Sequence, residues 1–151
     1  MKIERCEDLL DWTSRTHTRL SNCMSEAASE RTDSLAKMLL DYLSLHEQEL
    51  PKTISRIKER ADSHALQARL NDAVNSDMLT VDLDSESYAQ MTVDDISREV
   101  FSIHNRIIDI YRSLEGRPGL DKARGLLSEM LQLEEHETMR LAQQVNRMHE
   151  L

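Results

Sequence analysis

Four stretches of this chain repeat their apolar residues every three or four positions, and almost nothing inside them would interrupt a helix. The first carries Leu10, Thr13, His17, Leu20, Met24 and Ala27. The second carries Leu35, Met38/Leu39, Tyr42, Leu45/His46, Glu49, Thr53 and Ile57. The third carries Val93, Ile96, Val100, His104, Ile107, Tyr111 and Leu114. The fourth carries Leu126, Leu127, Met130, Leu133, Leu141, Val145 and Met148, and in its middle His136, Glu137 and Glu134 compete for the inward place. That spacing is the signature of helices with one buried face. With Gly 3 and Pro 2 in 151 residues, the chain lacks the punctuation that strands and tight turns need.

The punctuation that exists sets the topology. Ser29 to Asp33 is a short link, with Thr32 or Asp33 placed to cap the following helix. A link that short makes the first two helices antiparallel neighbours. Thr92-Val-Asp-Asp95 is a helix-start signature, and Glu115-Gly116-Arg-Pro-Gly119 is the clearest turn. Helical character runs on past Ile57, and a break near Asp62-Ser63 or a protruding helix end is expected. Residues 75–90 lose the period and read as a polar connection. Pro51 falls inside the second helix, as a tolerated bend or as a reshaping beside a site. The expected fold is all-α, a four-helix bundle with helices over about 6–28, 34–60, 92–115 and 120–150. It forms one domain over 1–151: a hairpin over 6–60, a crossover over 61–91 and a second hairpin over 92–151.

A net charge of −9 argues against nucleic acid and against anionic membrane surfaces as partners. No apolar run approaches the length of a membrane span, and the first residues do not read as a signal peptide. Cys6 and Cys23 lie on one predicted helix, too far apart for a disulfide at about 1.5 Å per residue, and read as free thiols in a reducing cytoplasm.

Shifted by 87 residues, the chain lies over itself without a gap. His17 falls on His104, Arg19 on Arg106, Ala36 on Ala123, Leu39 and Leu40 on Leu126 and Leu127, and Leu43 on Met130. Two helical hairpins related in this way give a pseudo-twofold bundle. Counted from their turns, His17, His46, Glu49, His104 and His136 all fall at one height. A carboxylate on a core stripe requires a partner. Imidazoles and a carboxylate converging in a core suit a transition metal, iron first, with zinc or manganese as alternatives. The other expectation is a satisfied polar core with no metal.

The stretch from Ile96 to Tyr111, the Gly116-Arg-Pro-Gly turn and Leu126 to His136 resemble the ferritin-like superfamily, in its rubrerythrin-type branch. Through the repeat the resemblance reaches the first two helices as well. In that family one Glu on each first helix and a Glu-x-x-His on each second helix bind two irons. By position, the first-helix places here hold His17 and His104. The Glu-x-x-His places hold His46/Glu49 in reversed order and Leu133/His136. The resemblance therefore implies a mononuclear, His-rich site, or a degenerate bundle, in place of a di-iron oxidase or iron-storage core. A hemerythrin-like site is set aside, because only the His104/Asp109 spacing fits it.

Two function classes follow. One is a ferritin-like metal protein with redox or oxygen-related chemistry. The other is a metal-free interaction module that forms a homodimer or docks another protein, with Met 8 offering adaptable apolar contact. A thiol hydrolase lacks support, since Cys23 and His17 do not share a helix face.

Overall fold

The computed structural model describes residues 2–70, 73–75 and 77–150, with His149 described by its backbone alone. The expectations for the crossover at 71, 72 and 76 lie outside the described residues. Among the described residues the fold is all-helical, with α1 Cys6–Ser29, α2 Ser34–Arg60, α3 Ser63–Gln67, α4 Ser85–Gln90, α5 Val93–Glu115 and α6 Arg124–His149. The four long helices fall where the periodicity places them. The expected crossover is not devoid of structure, because it carries α3 and α4. Both are short helices opened by aspartate: Asp62 accepts from the His64 amide at 2.7 Å, and Asp84 from the Glu86 amide at 3.0 Å. Each aspartate satisfies a donor that a helix start leaves free.

The long helices begin by different means. At α1, the Asp8 carboxylate reaches back to the Arg5 amide at 2.9 Å. At α5, Thr92 accepts from the Asp95 amide at 3.1 Å, as the start signature requires. At α2, neither expected cap forms a capping bond. Asp33 occupies the cap position, but its carboxylate is taken by the Arg31 guanidinium at 2.8 and 2.9 Å. Arg31 also donates to the carbonyls of Ala89 and Met91 at 2.7 and 2.6 Å, so the α1–α2 link holds the end of α4. Helix α6 starts at Arg124, about one turn later than expected, after Gly119 turns the chain at φ 87°. Arg124 then donates to the Glu115 and Arg117 carbonyls at 3.2 and 3.0 Å and closes that turn.

Cross-helix bonds define two antiparallel pairs. Ser21 and Ser44 exchange hydroxyl-to-carbonyl bonds at 2.8 and 2.9 Å, and Lys58 meets Asp11 at 2.5 Å. In the second pair His104 meets Thr138 at 3.0 Å, and Arg112 approaches Glu135 at 3.9 Å. One apolar core runs through both pairs, and the Thr13 and Tyr111 hydroxyls, 2.7 Å apart, join α1 to α5 inside it. Burial recurs at the 87-residue spacing: Leu9 and Ile96, Leu20 and Ile107, Leu40 and Leu127, and Ile54 and Leu141 are all fully enclosed. Helix α2 continues through Pro51. Pro51 has no amide to give the carbonyl of Glu47, four residues earlier.

No described helix is long and apolar enough to cross a membrane. Burial also decides the state of the cysteines. It pushes the Cys6 thiol up to about 12, with Glu7 adding to the effect, and the Cys23 thiol up to about 11. Both are free thiols, kept protonated and unreactive by their surroundings.

Candidate functional site

The inward face of α2 is not the stripe expected for it. Ala36, Leu39, Leu40, Leu43, Ser44, Glu47, Leu50, Ile54 and Ile57 are buried, while Leu35, Met38 and Leu45 are exposed. The reciprocal Ser21–Ser44 pair fixes the register. His17, one turn from Ser21, therefore lies opposite the turn that holds Glu47. Successive helical residues are about 100° apart, so a reading displaced by one or two positions turns the wrong carboxylate inward.

The result is a polar cluster with no exposed side-chain surface. His17 on α1 is bonded through Nδ1 to Glu47 Oε2 at 2.5 Å and through Nε2 to Glu134 Oε1 at 2.8 Å. His104 on α5 is bonded through Nε2 to the other Glu47 oxygen and through Nδ1 to the Thr138 hydroxyl. The rings of His17 and His104 meet edge to face at 5.4 Å. Each of the four long helices thus supplies one member: His17, Glu47, His104 and Glu134.

Of the five residues expected to converge, His17 and His104 lie in the cluster. His46 lies beside it, half-buried, with its ring 6.4 Å from that of His104. Glu49 is a correction: it faces outward and pairs with Lys52 at 3.1 Å, and Glu47 holds the inward place. His136 is a second correction, because it is exposed and Glu134 takes the interior position. The sequence carried a signal for both glutamates. Glu47 falls on Glu134 at the same 87-residue offset that pairs the histidines, and each is the one charged residue on an inward face of Ala, Leu, Ile, Val, Met or Ser.

The electrostatics follow from burial and partners. Burial alone would lower the His17 imidazole, but the carboxylates of Glu134 and Glu47 and their hydrogen bonds outweigh it and raise it to about 10. Burial would raise the Glu47 carboxyl, yet His104 and His17 overcome that and hold it well below the ordinary carboxylate range. Both ring nitrogens of His17 therefore donate to carboxylates. Glu134 Oε2 is buried and has no hydrogen-bond partner, an arrangement that costs free energy unless something completes it.

Ligand atoms of His17, Glu47 and His104 lie within 4.8 Å of one another. Bonds to one ion shared by them would be about 2.0–2.2 Å long. Comparison with protein-family models, with curated proteins and with solved structures gave no match.

Proposed function

We propose that this protein binds a transition metal ion in its interior, through His17, Glu47, His104 and Glu134, on a four-helix bundle of the ferritin-like kind. The observation that carries the reading is the buried group of His17, Glu47 and His104, whose ligand atoms lie within 4.8 Å of one another, next to a Glu134 that is bonded to His17 through one oxygen and leaves the other unpartnered. Two nitrogen and two oxygen donors suit iron, zinc or manganese. The ferritin-like part is supported by the two antiparallel helix pairs and by the glutamates. Glu47 and Glu134 stand on the second helix of each pair, as the glutamate of Glu-x-x-His does in that superfamily. Three residues later this chain has Leu50 and Glu137 instead of histidine. With iron the site would suit one-electron or oxygen chemistry with a small diffusible partner, because its lining has no exposed surface.

A second reading is favoured by a specific observation. Both nitrogens of His17 and both oxygens of Glu47 are already hydrogen-bonded without any ion. In that reading the cluster is a polar latch that fixes how the helix pairs meet. The two readings separate on one experiment. Protein purified without a His-tag is analysed for metal and melted with and without EDTA. Bound metal with a melting temperature lowered by chelation supports the metal site, because a ligand stabilises the state that binds it. Metal-free protein with an unchanged melting temperature supports the latch.

A further inference from the structure

A second group of side chains stands one ring outward from His104. The His46 side chain is one-tenth exposed, and its Nε2 is buried without a hydrogen-bond partner. Glu137 Oε2 faces that nitrogen from α6 at 3.9 Å, too far for a hydrogen bond. Glu137 is held in place through its other oxygen, which accepts from Arg140 at 3.3 Å, and about a fifth of its side chain reaches solvent. Tyr42 stacks on the outer face of the His46 ring at a centroid distance of 6.3 Å. A buried, unpartnered ring nitrogen and a carboxylate oxygen thus face each other across a gap at the edge of the core. Two ligands at about 2.0–2.2 Å from one ion span at most roughly 4.4 Å, so the gap accepts an ion between them at a wide angle.

We infer that His46 Nε2 and Glu137 Oε2 form a second, outer binding position for a divalent transition metal cation, with water completing its coordination. Imidazole and carboxylate together select zinc, iron or manganese over calcium, which takes oxygen donors alone. The position is reachable from solvent through Glu137, whereas the inner cluster is not. As a station on the way to that cluster it rests on the metal reading above; as a binding position it stands alone.

The test titrates metal-stripped protein with zinc chloride. The heat of binding gives the stoichiometry, and the 15N resonances of the histidine rings report which nitrogens are engaged. Two equivalents of zinc are expected per wild-type chain, with the His46 Nε2 resonance displaced. His46→Gln and Glu137→Gln should each bind one equivalent, and Glu47→Gln should keep the equivalent that displaces His46. Circular dichroism identifies any variant that fails to fold, and Glu137→Gln, on a partly exposed residue, provides the safeguard. If the wild type binds one zinc, lost in Glu47→Gln and kept in His46→Gln, the outer position is overturned while the inner site stands. If the single zinc is lost in His46→Gln and kept in Glu47→Gln, the inner site fails and the outer position stands. Protein that binds no zinc overturns both.

Discussion

The two halves of the cluster are built from the same parts and finished differently. In the first half, His17 and Glu47 lie on neighbouring helices and bond directly, and every polar atom of both side chains is engaged. At the matching places in the second half, His104 and Glu134 do not bond to each other. The His104 Nδ1 turns to Thr138, and Glu134 is left with Oε2 unpartnered. The residue that matches Thr138 at the 87-residue offset is Pro51, which offers no hydroxyl. One threonine thus diverts the second histidine from its carboxylate. The first half is closed, and the second holds an open acceptor. The half that lacks the direct pairing is the one left with a buried, unpartnered oxygen.

The largest expected effect comes from the residue both halves share. Glu47→Ala removes the acceptor of two buried histidines. Losing one partner of a buried ionic group costs about 3–5 kcal/mol, so urea unfolding in EDTA should show a loss of that order. Glu134→Gln should cost less, about 1–3 kcal/mol, because the amide oxygen still accepts from His17 and the unpartnered oxygen is replaced by a donor. A larger loss for Glu134→Gln than for Glu47→Ala would reverse the assignment of closed and open halves.

Thr138→Val probes the diversion itself. It removes the hydroxyl at His104 Nδ1 and should cost about 1 kcal/mol in the metal-free protein. The same variant should perturb the His104 ring resonances and leave those of His17 in place. Equal displacement of both would show that the halves are not separable.

The dependence on pH follows from the closed half. In the metal-free protein His17 is raised to about 10 from the 6.5 it has when unfolded. Its contribution is full below pH 6.5, declines as pH rises towards 10, and is absent above that. Glu47 is lowered, so its contribution is present above the ordinary carboxylate value and is lost as pH falls below it. Melting temperature in EDTA should therefore fall on both sides of a broad optimum between about pH 5 and 6.5. His17→Gln should flatten the alkaline side.

The smallest effects belong to the two outward-facing residues. Glu49→Gln and His136→Ala should each change stability by less than about 0.5 kcal/mol, since Glu49 makes only an exposed pair with Lys52 and His136 faces solvent. A loss of metal in either variant would mean that the interior is rotated from the arrangement described.

The helices were legible in the sequence because periodicity and scarce punctuation act over many residues. The site was legible only in part, because it depends on rotation within a helix. α2 carries apolar residues on two faces, Leu39, Leu43 and Leu50 inward and Leu35, Met38 and Leu45 outward, and either set makes a plausible stripe. Local spacing does not choose between them; the Ser21–Ser44 contact does, and it is tertiary. The 87-residue offset held the missing information, since it pairs Glu47 with Glu134 as it pairs His17 with His104. Thr138 had no such signal, because a lone threonine opposite a proline predicts nothing until the histidine it meets is placed.

The most direct measurement is the metal content of tag-free wild-type protein beside Glu47→Gln, by elemental analysis after gel filtration, with both proteins shown to be folded. Glu47→Gln keeps the shape of the side chain and removes its charge. The predicted result is stoichiometric iron, zinc or manganese in the wild type, and a loss in the variant of the ion that Glu47 holds. Metal-free wild-type protein that also takes up no added ion, or equal metal in the two proteins, would contradict a metal site built on His17, Glu47, His104 and Glu134.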